Sequence, residues 1–305
     1  MITKHLVKHV SYPVISWYNG HGDLYRHLRE LEKQQYFPTQ RLLELQWLKL
    51  KGMLHYAYEH TEYYRRRFDE YGIKPFDIKD FSDMVRVPLL TKDDIERNRE
   101  RMVSDEYPRQ KLVPSYSGGT SGKMVHFYYA KDCLAYKQAA TIRCERWTGW
   151  DIGGKTLFIW PASQDYNHEV SIKMKLKNVL STRMTMCPAA SLDEQTIRRH
   201  IETIAKTSPD LIRGFPSPLT LIADYIIQNG LDSPSTCHIV STGEPLFRAR
   251  REKIETAFGA QVYDSYGARE VSLIGQECEL HNGYHINMEC NHLEFVRDGK
   301  HARPG

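Results

Sequence analysis

Long apolar runs are missing from this chain of 305 residues, and so is a strong charge of one sign. No stretch approaches the roughly twenty apolar residues of a membrane-spanning helix, and no secretory leader pattern is legible at the start. The formal net charge is +4, with acids and bases mixed along the chain. Such a mild excess does not mark a nucleic-acid partner, and the basic stretch around Lys173 to Lys177 lacks the aromatic interleaving that would. Six cysteines are too few for a dense disulfide framework, so a reducing, cytoplasmic setting is the expectation. There is no internal repeat and no low-complexity linker. No Ser/His/Asp or Cys/His catalytic set can be read, so a covalent nucleophile is not expected.

What is present is enough apolar content, 41%, for a sizeable core in one large domain or two, with an unusual 19 tyrosines. Residues 1–38 read as an irregular aromatic arm lying on the body. Residues 39–70 carry helical periodicity, ended by Tyr71 and Gly72. The arginines at 65–67 read as a solvated helix face or a partner patch. Thr91 followed by Asp94 predicts a capped helix start, and so does Ser191 followed by Glu194. Residues 130–147 read as a helix, 156–160 as a buried strand, and 163–190 as surface helix and loop. From 210 to 264 the pattern becomes a βαβαβ rhythm, which predicts a parallel sheet. Ligands of such sheets sit beyond the carboxyl ends of the strands. The segments there are Gly214 to Ser217, Thr242 to Pro245 and Ser265 to Glu270, three glycine-bearing polar loops.

The stretch from Ser115 to Lys123 holds three glycines, four Ser/Thr hydroxyls and one lysine. Backbone N–H groups, hydroxyls and an ammonium can converge there on a phosphate. A Walker A loop would need glycine at Ser117 and Ser or Thr at Met124, and Gly118, Gly119 and Gly122 do not give the dinucleotide spacing. A plain glycine-rich hairpin turn is the other reading. Residues 124–129 read as a strand, which places the loop between strands.

This loop resembles the phosphate-binding signature of the adenylate-forming (acyl-CoA synthetase) superfamily. Further text, from Tyr63 through Val87 to Ile95, resembles the phenylacetate–CoA ligase branch and CapK-like proteins of capsular polysaccharide clusters. The segment from Tyr266 to Glu270 resembles the superfamily's Tyr-Gly-x-Thr-Glu motif, with Arg269 where Thr is usual. The resemblance implies an α/β fold, the large N-terminal domain of the superfamily, with mixed and parallel sheets flanked by helices. Its parts would be the arm at 1–38, an α/β domain at 39–275, and the start of a β-rich subdomain at 276–305. It implies ATP and Mg²⁺ as ligands, coenzyme A as a co-substrate, and a small-molecule carboxylic acid activated as acyl-AMP. A homodimer is compatible with this reading.

The resemblance also implies roles. Ser117, Gly118, Gly119, Thr120, Ser121, Gly122 and Lys123 would hold the ATP phosphates, with Lys123 catalytic. Thr242, Gly243, Glu244 and Pro245 would line the adenine pocket, with Asp264, Ser265, Tyr266 and Gly267 beside them and Tyr266 stacking. Glu270 would hold Mg²⁺, which prefers one or two carboxylates plus phosphate oxygens. Trp160, Phe215 and Pro216 would line the acid pocket. Ser217, with Pro218 behind it, also reads as a helix cap. The thiols and imidazoles of Cys278, His281, His285 and Cys290 are a candidate tetrahedral zinc set, and two buried free thiols are the alternative.

In the superfamily, a ribose-binding aspartate, a hinge and a small domain with a catalytic lysine follow the point where this sequence stops. Without them, adenylation is expected to be impaired and thioester formation lost. The competing function is a non-catalytic nucleotide-binding or scaffold module, favoured by Arg269.

Overall fold

The computed structural model describes residues 2–117, 124–161, 172–234, 238–298 and 300–302. The chain divides into two units, each discontinuous in sequence: residues 1–29 with 132–285, and residues 30–131 with 286–305. The consecutive segments expected from the sequence do not coincide with these units.

The arm is helical rather than irregular: α1 (Ile2–Leu6), a π-helical turn (Val7–Ser11) and α2 (Tyr12–Tyr18) precede α3 (Leu24–Gln34). Pro13 sits in the first turn of α2, where its missing N–H costs nothing. Of the expected arm, residues 1–29 pack within the first unit and 30–38 within the second. Val7 is fully buried, Gln138 donates to the Tyr12 hydroxyl at 2.7 Å, and Lys8 pairs with Asp151 at 2.5 Å.

In the second unit, α4 (Thr39–His60) and α5 (Glu62–Glu70) replace the single expected helix. The break is Thr61, whose extended backbone lets its hydroxyl accept from the Tyr64 N–H. Leu54, Phe68, Ile73 and Ile78 form the core beneath them. The predicted capping box opens α6 (Lys92–Asn98): Asp94 N donates to Thr91 Oγ1 at 3.1 Å, and Thr91 N to Asp94 Oδ2 at 2.9 Å. Strands β1 (Val113–Ser117) and β2 (Val125–Tyr129) pair antiparallel, with Ser117 opposite Val125. Ser115, Tyr116 and Ser117, expected in the glycine-rich loop, are the end of β1, and residues 118–123 lie outside the described residues.

The first unit is built on a mixed sheet. Its strands are β3 (Thr156–Trp160), β4 (Met184–Pro188), β5 (Leu211–Gly214), β6 (His238–Thr242), β7 (Gln261–Ala268) and β8 (Ser272–Gln276). They lie in the order β4-β3-β5-β6-β7-β8, followed by the two-residue β9 (His285–Ile286), where the chain passes into the second unit. The first five are parallel and β8 runs back against β7. Strand β4 was unforeseen: Met-Thr-Met-Cys-Pro shows neither alternation nor a β-branched run, and its pairing with β3 decides it. The connecting helices are α7 (Lys131–Arg146), α8 (Ile172–Leu180), α9 (Glu194–Thr207), α10 (Pro216–Gln228) and α11 (Arg248–Phe258). Asp193, not Ser191, caps α9, accepting from Thr196 N at 2.7 Å. Leu157, Ile159, Ile212, Ile239 and Val262 from the strands pack with Leu219, Ile222, Ile254 and Phe258 from the helices. Buried on both faces, these strands need continuous apolar runs, which is what the sequence supplies.

Candidate nucleotide site

Register brings the predicted loops to one edge. Ile159, Gly214, Ser241 and Asp264 form a row across β3, β5, β6 and β7. The chain leaves β3, β5 and β6 just past this row, at Trp160, Phe215 and Thr242, so the acid-pocket and adenine-pocket candidates share the carboxyl edge of the first unit. The Trp160 and Phe215 rings meet edge to face, with centroids 4.8 Å apart. Pro216 is buried in the first turn of α10.

Gly243 has φ +82°, and a β-carbon there would stand 2.3 Å from the Phe215 ring. The loop after β6 is therefore glycine because an aromatic from the neighbouring strand end lies flat against its backbone. Glu244 is committed to α10: Ser217 donates to its Oε2 from the backbone N at 3.0 Å and from Oγ at 2.5 Å. Arg250 stands 3.7 Å from the same oxygen. The helix residue at the cap position is Phe215, which has no capping side chain, so the cap comes from the next loop instead of from Ser217. A carboxylate there also meets the positive end of the helix dipole. With this oxygen so engaged, the exposed part of this loop is Gly243 and Pro245.

Ser265 to Ala268, expected as a loop, continue strand β7 because β8 returns alongside them. Asp264 and Ser265 are buried. Ser265 Oγ donates to Ser241 O at 2.9 Å, and Asp264 accepts from Ser265 N and from the Tyr284 hydroxyl. Burial pushes the Asp264 carboxyl up against the lowering effect of the Tyr284 bond. These two side chains are engaged within the protein. Tyr266 is 59% exposed, free to offer a ring face. At Gly267 the register with β8 shifts, and a β-carbon would stand 2.6 Å from Ser272 O, so only glycine fits.

The connection from β7 to β8 is Arg269, Glu270 and Val271. Glu270 is exposed at its tip. Lys137 from α7 donates to Arg269 O at 2.9 Å and to Glu270 O at 3.3 Å, a contact that no local sequence signal announced. One projecting carboxylate suits Mg²⁺, which takes most of its remaining oxygens from phosphate and water. Ser117 lies at the end of β1, while Gly118, Gly119, Thr120, Ser121, Gly122 and Lys123 lie outside the described residues.

The zinc set is not assembled. Among the described residues no three His, Cys, Asp or Glu side chains are grouped to hold a metal. Cys278 and His285 do meet, Sγ to Nε2 at 3.2 Å. His281, however, faces Glu277 at 3.3 Å and Arg251 at 3.4 Å, because Glu277 is buried and bound bidentately by Arg251 at 2.8 and 2.9 Å. Cys290 belongs to the second unit. Spacing alone did not reveal that the imidazole had a carboxylate partner.

No family model matches the chain. Curated relatives do. Phenylacetate–coenzyme A ligase of Aromatoleum evansii is 27% identical over 252 residues, covering 79% of this chain and 54% of the relative. The Escherichia coli K12 protein of the same name is 29% identical over 244 residues, covering 75% and 52%. Protein CapK of Staphylococcus aureus is 25% identical over 234 residues, covering 75% and 50%. The chain is thus similar to the phenylacetate–CoA ligase and CapK branch of the adenylate-forming superfamily. It spans about half the length of these relatives. A solved 2-hydroxyisobutyryl-CoA ligase, in complex with its acyl-AMP and CoA, superposes with TM-score 0.67 at 21% identity, over 83% of this chain and 55% of that one. That likeness establishes the α/β fold of the superfamily's ligases. No helix among the described residues is long and apolar enough to cross a membrane.

Proposed function

We propose that this chain carries the nucleotide-binding and acid-binding part of an ATP-dependent acid–thiol ligase. The observation that supports this best is the convergence of Trp160, Phe215, Gly243 and the extended β7 on one strand edge, with Glu270 on the turn beyond. In the reaction, a substrate carboxylate oxygen attacks the α-phosphorus of ATP. The new acyl–phosphate bond forms as the bond to the β-phosphate oxygen breaks, and pyrophosphate leaves. A thiol such as that of coenzyme A then takes the acyl group and releases AMP. The protein's part is positioning and charge stabilisation. Glu270 would hold Mg²⁺, which would supply charge neutralisation for the departing pyrophosphate. The Gly118–Lys123 stretch is assigned to the phosphates, and Tyr266 to the base. The aromatic lining of Trp160 and Phe215 suits an aryl acid, and the likeness to CapK supports a role for the product in capsular or exopolysaccharide assembly.

Calorimetric titration with ATP and Mg²⁺, followed by pyrophosphate release with a panel of aryl and acyl acids, tests the assignment. Saturable Mg·ATP binding with acid-dependent release is expected. Absence of ATP binding would remove the reading altogether. Arg269, standing where the superfamily usually has Thr, favours a second reading, a nucleotide-binding module without turnover. Binding without release from any acid selects it.

A further inference from the structure

The turn that carries Glu270 is exposed, and an exposed three-residue hairpin connection has its carbonyls in water by default. Here two successive carbonyls, those of Arg269 and Glu270, share one ammonium, Nζ of Lys137, at 2.9 and 3.3 Å. Lys137 is half-buried and rises from α7, an element distant in sequence from the turn. A lysine placed there desolvates a charge beside main-chain oxygens when water would serve them. We propose that Lys137 is a positioning residue: by clamping the backbone at 269–270 it aims the Glu270 carboxylate and so sets the Mg²⁺ affinity of the nucleotide site. The inference rests on Glu270 as the magnesium carboxylate. Groups that stand behind a metal ligand characteristically act through affinity.

The test uses the full chain and three variants, Lys137→Met, Lys137→Arg and Glu270→Gln. Amide exchange across 269–273, without nucleotide or metal, is expected to lose protection in K137M and to recover it in K137R. Unchanged exchange in K137M overturns the clamp, whatever Glu270 does. Mg²⁺-dependent ATP binding by calorimetry is expected to need about tenfold more Mg²⁺ in K137M, with ATP affinity at saturating Mg²⁺ unchanged. A wild-type Mg²⁺ requirement in K137M overturns the inference. A wild-type requirement in E270Q overturns the reading of Glu270 beneath it, and the exchange data tell the two failures apart. Should K137M not fold, Lys137→Gln replaces it with the same expected outcomes.

Discussion

Gly243 and Phe215 come from different strand ends, and neither residue alone explains the other. The sequence marks Gly243 only as part of a polar, glycine-bearing loop after a strand. Its positive φ, and the ring lying 2.3 Å from where a β-carbon would stand, are decided by the fold. Gly243→Ala is expected to destabilise the fold by about 1–3 kcal/mol, from overpacking and backbone strain together. Denaturant unfolding checks this, and weakened ATP binding should accompany it. The same limit applies to Asp264 and Ser265. Their neighbourhood, Ser265 to Glu270, was legible as a motif, but their side chains turned out to be buried in the sheet. Motif spacing identifies which residues lie near a site without saying which way each side chain points.

At the scale of elements, most of what positions the site was readable. The strand at 156–160 and the helix at 130–147 follow from apolar runs and periodicity, and the βαβ rhythm from their alternation. The errors lie where one element borrows from another. Strand β7 runs to Ala268 because β8 pairs with its far half, and no local propensity records that. Helix α10 takes its cap from Glu244, 27 residues beyond Ser217, so a reading confined to the helix's own start chose the wrong residue. Removing that cap by Glu244→Ala should cost about 1–2 kcal/mol. Thermal unfolding measures it, and the effect should be smaller for Glu244→Gln, which keeps an acceptor oxygen for Ser217. If Glu244 acts on the base instead, the two substitutions would leave stability alone and weaken ATP binding equally.

At the scale of the whole molecule, each unit is assembled from two separate stretches of chain. The first 29 residues, within the stretch 1–38 read as an arm, are part of the unit that carries Glu270. Tyr12 is the tie: it is 7% exposed and its hydroxyl accepts from Gln138 on α7, the helix that also bears Lys137. Tyr18, one turn and a half further along the same helix, is 81% exposed. Tyr12→Ala is therefore expected to destabilise the chain by about 3–5 kcal/mol, and Tyr18→Ala by less than about 0.5 kcal/mol. Equal losses in a melting experiment would mean that the arm does not belong to this unit's core.

The sequence by itself determined the βαβαβ rhythm from 210 to 264 and the parallel sheet it implies, because apolar periodicity and turn residues are local signals. It also carried the resemblance to the superfamily, because the glycine-rich stretch, the segment around Glu244 and the segment ending at Glu270 occur in order. Tertiary structure alone decided which side chains face the strand edge, where α10 finds its cap, and that His281 answers to Glu277. It also joined Lys137 to the turn of Glu270. Each of these depends on partners tens of residues or more than a hundred residues away, or on a burial that only packing creates. Hydrogen bonds and charge pairs are settled by proximity in space, which one-dimensional spacing does not encode.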